Sequence, residues 1–182
     1  MNNKQLMVAL AVILLASCSK NNDSLVPTVT VNEASVMKKG PQARPFSGSM
    51  SYTFAPNQNL PCDCGDYFPI GTFSGSGNLS HLGNTSSLIK PCVAPIIQDG
   101  QYIGDHVGVE CAYFEAANGD RLDCYTHPYD IYFTPVGAVG VATVDFVGGT
   151  GRFANATGSF TGTVTVGQTG ATFTGLSGTI VY

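Results

Sequence analysis

The chain has no tryptophan, and charged residues make up only 11% of its 182 positions, against about 25% in an ordinary globular protein. The missing indoles remove the usual stacking platform for sugars. With 8 basic and 12 acidic residues and a net charge of -4, there is no basic face for a nucleic acid. The apolar run Leu6 to Leu15 falls short of the ~20 residues a spanning helix needs. No Gly-Lys-Ser/Thr phosphate loop and no Asp-x-Asp-x-Asp-Gly calcium loop occurs, and no Ser-His-Asp or Cys-His arrangement is legible. The sequence assigns no catalytic residue, no cofactor and no metal site.

Glycine, serine and threonine stand where the charges would be, and they alternate with apolar residues. Phe46, Gly48, Met50, Tyr52 and Phe54 share one parity while Ser47, Ser49, Ser51 and Thr53 share the other. A period of two is the mark of a strand with one dry and one wet face. The same pattern predicts strands over Ile70 to Leu79, Thr85 to Cys92, His106 to Ala116, Arg121 to Phe133, Val139 to Val147, Ala156 to Val166 and Ala171 to Tyr182. Pro56 to Pro69 and the stretch through Pro95 and Gly100 read as loops. Asn118-Gly119 suits a two-residue type I′ turn, which would set Tyr113 opposite Cys124. A change of parity near Gly175 predicts a bulge in the last strand. Eight such strands close most simply into an antiparallel barrel with the apolar side inward, and frequent inward glycines predict a cavity. The inverse assignment, an outer-membrane barrel ending in Tyr182, has no aromatic girdles to support it.

Gly148-Gly149-Thr150-Gly151-Arg152-Phe153-Ala154 contains G-x-G-x-x-A after a strand. The dinucleotide fingerprint requires a helix immediately afterwards, and a threonine-rich alternating run follows instead, so the glycines read as a strand connection. Together with Ala156-Thr157-Gly158 and Gly178-Thr179-Ile180, this stretch resembles the closing hairpin of allene oxide cyclase and dirigent proteins and of bacterial secreted proteins like them. That resemblance implies a calycin-type, eight-stranded all-β barrel. Thr157 stands where the dirigent pattern usually has a basic residue, and no catalytic residue carries over.

At the N-terminus, Lys4 precedes the apolar run and Leu15-Ala16-Ser17-Cys18 closes it, which is signal-peptide architecture. The tetrapeptide resembles a bacterial lipobox. The resemblance implies cleavage before Cys18, lipidation of that cysteine with palmitate-like acyl chains, and membrane lipid as the partner of the anchor. Ser19 after the cysteine resembles outer-membrane sorting. The expected domains are 1–17 signal peptide, 18–45 lipidated cysteine and flexible tether, and 46–182 barrel. Within the tether, Lys20-Asn21-Asn22-Asp23 resembles surface-export signals and Asp23-Ser24-Leu25 an O-glycosylation site; the plain alternative for both is a solvated linker.

In an extracytoplasmic setting, Cys62, Cys64, Cys92, Cys111 and Cys124 are disulfide candidates, two bridges and one leftover thiol, with the pairing open. A metal site built from these thiols with His81, His106 and His127 matches no standard zinc spacing. The aromatics Tyr113, Tyr125, Tyr129, Tyr132, Phe160 and Phe173 are candidate pocket residues. Three functions follow: a lipoprotein whose barrel binds a small apolar ligand or envelope partner, a cyclase-like or dirigent-like enzyme acting by cavity shape, or a structural surface module.

Overall fold

A computed structural model describes residues 40–56, 64–108 and 111–182; of Cys111 the backbone alone is described. Cys18, the signal peptide, most of the tether and Cys62 lie outside the described residues. The chain divides into two units, Met1–Met37 and Lys38–Tyr182, and every described residue belongs to the second.

The strands are β1 Arg44–Pro56, β2 Phe68–Pro69, β3 Gly71–Leu79, β4 Gly83–Lys90, β5 Cys92–Gln98, β6 Gln101–Val107, β7 Cys111–Ala116, β8 Arg121–Thr126, β9 Tyr129–Thr134, β10 Gly137–Gly149, β11 Thr157–Val166 and β12 Gly170–Val181. Eight of them close a ring in the order β11-β12-β1-β3-β4-β7-β8-β10, with β10 pairing back onto β11. Every pairing is antiparallel, so the fold is an all-β closed barrel. The apolar parity faces inward: Phe46, Met50 and Tyr52 on β1 are buried, while Ser47, Ser49, Ser51 and Thr53 are exposed. Closing the ring pairs every strand edge and buries that face in one step.

The other four strands form an annex. β10 is shared lengthwise: Val144 to Gly149 pair with β8, and Gly137 to Gly140 pair with β9. From β9 the sheet continues through β6 and β5 to β2, and one residue, Ile70, separates β2 from β3. A disulfide between Cys64 and Cys92, with Cα atoms 5.5 Å apart, fastens the approach to β2 onto β5. The annex is thus a collar around one end of the barrel.

Several expectations change. The stretch through Pro95 and Gly100 is the β5–β6 hairpin, turning on Asp99 and Gly100 at φ 51° and 76°, the paired left-handed geometry of a type I′ turn. Pro95 is tolerated because, among the described residues, the other side of β5 carries just the short β2, paired at Cys92 and Val93. The expected strand Arg121 to Phe133 is two strands, since Pro128 has no N–H to continue the ladder; the expected strand His106 to Ala116 is likewise shared between β6, which ends at Val107, and β7, which starts at Cys111. At Asn118-Gly119 only Gly119 is left-handed, at φ 84°, and Ala116 N–H donates to the Asp120 carbonyl. The loop therefore has three residues. Cys124 sits opposite Ala112, and Tyr113 opposite Asp123, one step from the expected register. The parity change at Gly175 is present: the β11–β12 register shifts between Thr161 and Thr163, and Gly175 has φ 63°. Gly151–Phe153 forms a single 3₁₀ turn rather than an α-helix.

The inward glycines do not create the hollow. A Cβ on Gly77 would meet the Met50 sulfur at 2.7 Å, and one on Gly178 would meet Phe160 Cβ at 2.6 Å. Larger side chains from neighbouring strands already occupy that space.

Candidate functional site

The barrel interior is filled at one end and open at the other. At the filled end Phe46, Phe146 and Phe160 pack with ring centroids 4.8 to 5.4 Å apart. Leu79, Leu122, Phe153 and Ile180, all fully buried, surround them. Beneath, Tyr182 packs on Phe153 at 5.1 Å and meets Arg44 and His81 through its hydroxyl.

At the other end lies a cavity of about 600 Å³, within the range that holds a small organic ligand. Its floor is set by Phe114 and Phe173, each of which packs on Phe160, at 6.1 and 5.6 Å. Its walls come from short or branched inward residues, Ala112, Ala142, Val144, Val164 and Ala171. The collar adds Val93, Val107, Tyr129, Ile131 and Phe133 at the mouth. The space exists because small side chains face one another here while the sheet flares from β10 into the annex. Deeper polar groups are tied down: the Tyr52 hydroxyl donates to Ser87 Oγ at 3.4 Å, which in turn donates to the Tyr113 carbonyl at 2.8 Å. Among the described residues, no buried side-chain nitrogen or oxygen is left without a partner.

Of the candidate pocket aromatics, Tyr129 and Phe173 line the cavity. Phe160 is buried in the packed layer below it. Tyr113, Tyr125 and Tyr132 face outward instead. On β8 the inward parity belongs to Leu122, Cys124 and Thr126, and on β9 to Tyr129 and Ile131. Tyr113 lies under the Arg121 guanidinium at 4.2 Å, Tyr125 edges onto His127 at 5.2 Å, and Tyr132 donates to Asp130 at 3.2 Å. His127 bonds Asp145 at 2.8 Å, and His106 bonds Asp130, both on the outer surface. Among the described residues no group of three or more His, Cys, Asp or Glu converges to hold a metal.

The cysteines separate into roles. Cys64 and Cys92 are bonded, and Cys124 is a free, buried thiol on the cavity wall. Burial pushes the Cys124 thiol well above its ordinary pKa, so it stays protonated and unreactive. Sequence reasoning missed most of the lining, including Tyr52, Phe73 and Ile89. It also missed Asp105, which lines the mouth and accepts a 2.6 Å hydrogen bond from the Tyr102 hydroxyl.

No family model and no curated protein matches the chain. Among solved structures it is similar to a pterocarpan synthase dirigent protein, with a TM-score of 0.28 and 13% identity over 78% of this chain and 85% of that one. Similarity at that level transfers neither ligand nor reaction.

Proposed function

We propose that this protein is an outer-membrane lipoprotein, anchored through Cys18, whose barrel takes up a small apolar ligand. The observation that supports this most is the 600 Å³ cavity, open at one end over a sealed aromatic layer. A purely structural barrel gains nothing from leaving this space unfilled, because each void forfeits packing contacts. The lining gives an apolar guest area to bury, worth about 25 cal/mol per Å² removed from water.

The test is native mass spectrometry of protein released from its host envelope in the absence of added ligand. A co-purifying small molecule that is lost on unfolding is the expected result; a bare mass, with no binding of apolar probes afterwards, overturns the reading. The anchor is tested separately: a Cys18→Ala protein should leave the membrane fraction, and its retention there would remove the lipoprotein half of the proposal.

A further inference from the structure

We propose that the cavity selects amphiphiles carrying a hydrogen-bond-donating head, an alcohol or an ammonium, and rejects those carrying a carboxylate. This deepens the apolar-ligand reading and rests on it.

The argument is the distribution of polar groups around the opening. Among the described residues lining the cavity, Asp105 carries the only formal charge, and there is no lysine, arginine or histidine. Asp105 sits on β6 opposite Ile131 of β9, at the collar, where a guest with its hydrocarbon inside would leave its head. One carboxylate oxygen accepts from the Tyr102 hydroxyl. The Tyr102 ring is held edge-on against Phe133, a lining residue, with centroids 4.8 Å apart. Burial and the Asp105 carboxylate push the Tyr102 phenol up to about 12, so it remains a donor to Asp105 at neutral pH. Among the described residues no donor reaches the second Asp105 oxygen, so on the described lining one charged acceptor is open to a guest.

An acceptor with no local cation gives a sharp preference. A ligand alcohol or ammonium can complete the hydrogen bonding of Asp105, and the ammonium gains charge assistance as well. A ligand carboxylate would be desolvated beside a like charge with no basic partner. The basic residues Lys90 and Arg121 line a second hollow with Leu88, Tyr113 and Asp123, which shares Ala112 and Cys124 with the cavity wall, and neither of them lines the cavity itself.

The experiment uses Cys18→Ala protein exported behind an ordinary cleavable signal and loaded with the neutral fluorophore N-phenyl-1-naphthylamine. Dodecylammonium, dodecanol and dodecanoate then compete for the cavity. Displacement by dodecylammonium at a concentration about tenfold or more below that of dodecanoate is expected, the size of one charge-assisted hydrogen bond. Asp105→Asn should bring the two to within about threefold, with dodecanol little changed. Tyr102→Phe, which leaves the carboxylate in place, should keep the preference and controls for damage to the collar. Equal or tighter binding of dodecanoate, or discrimination that survives in Asp105→Asn, overturns the inference while leaving an apolar cavity intact. Failure of the fluorophore and of all three competitors to bind takes down the cavity reading itself, and this inference with it.

Discussion

The two ends of one barrel are built from the same strands and the same alternation, yet one is solid and the other hollow. On β1 the chain passes from Phe46 in the packed layer to Tyr52 on the cavity wall, and on β10 from Phe146 down to Ala142 and Ala138. The difference lies in side-chain volume at matched heights. Three phenylalanines meet across the axis at the packed end, whereas alanines and valines face one another at the other. Period-two patterning closes the barrel; the size of each inward residue decides whether the closed space is core or pocket. The packed end supplies the cohesion that lets the other end stay open.

If that division is right, equal truncations should have unequal costs. Phe160→Ala removes a ring that contacts Phe46, Phe146, Phe114 and Phe173 and should cost about 3–5 kcal/mol, measured by chemical denaturation. Val164→Ala, on the same strand but facing the cavity, should cost under about 1 kcal/mol, because its removal enlarges a space already open. Similar losses at both positions would mean that the cavity is closed in solution.

The collar gives the next largest effect. Cys64 and Cys92 are 28 residues apart, and a loop of that length predicts about 3.5 kcal/mol of stabilisation from the bridge. Cys92→Ser should lower the unfolding midpoint accordingly and weaken apolar-probe binding, since β2 and β5 would no longer be fastened at the mouth. By contrast, Cys124 should resist alkylation in the native protein and react fully once unfolded; rapid native labelling would show that the cavity wall opens.

Filling the hollow end sharpens the comparison from the other side. Ala142→Phe directs a ring into the cavity from β10 and should abolish fluorophore binding, with stability within about 1.5 kcal/mol of wild type, since the ring enters free space rather than packed core. The same enlargement at Ala156, which is fully buried in the packed layer, should destabilise by about 1–3 kcal/mol.

The closed barrel was legible because hydroxyls and hydrocarbons alternate without interruption along Phe46 to Phe54 and Ala156 to Val166, and because Gly175 breaks parity where a barrel strand must bend. The collar was not. Asp99-Gly100 is a sound turn signal, but Pro95 and the weak alternation around it argue for a loop until the partner strand is seen. Asn118-Gly119 permits two turn lengths, and choosing the shorter one shifts every cross-strand neighbour by one place. The cavity could not be read at all from single strands. Its volume depends on which residues from β7, β10, β11 and β12 come to the same height, and that is a property of register. Asp105 was not legible either, since nothing local in the sequence marks it as the carboxylate turned toward the mouth.

The smallest expected effect concerns the hydrogen bond that orients this carboxylate. Tyr102 is about half exposed, and its phenol is raised from 10.0 to about 12 by burial and by Asp105. A raised folded-state value means that the native protein holds this proton more tightly than the unfolded chain does. The contribution to stability is therefore complete below about pH 10, the unfolded value, and is lost as pH climbs through about 12. The difference between the ultraviolet titrations of wild type and Tyr102→Phe isolates this one phenol from the others. It should show a step near pH 12 that moves down toward 10 in Asp105→Asn. A step already at 10 in the wild type would separate Tyr102 from Asp105, and would leave neither carboxylate oxygen held by this phenol.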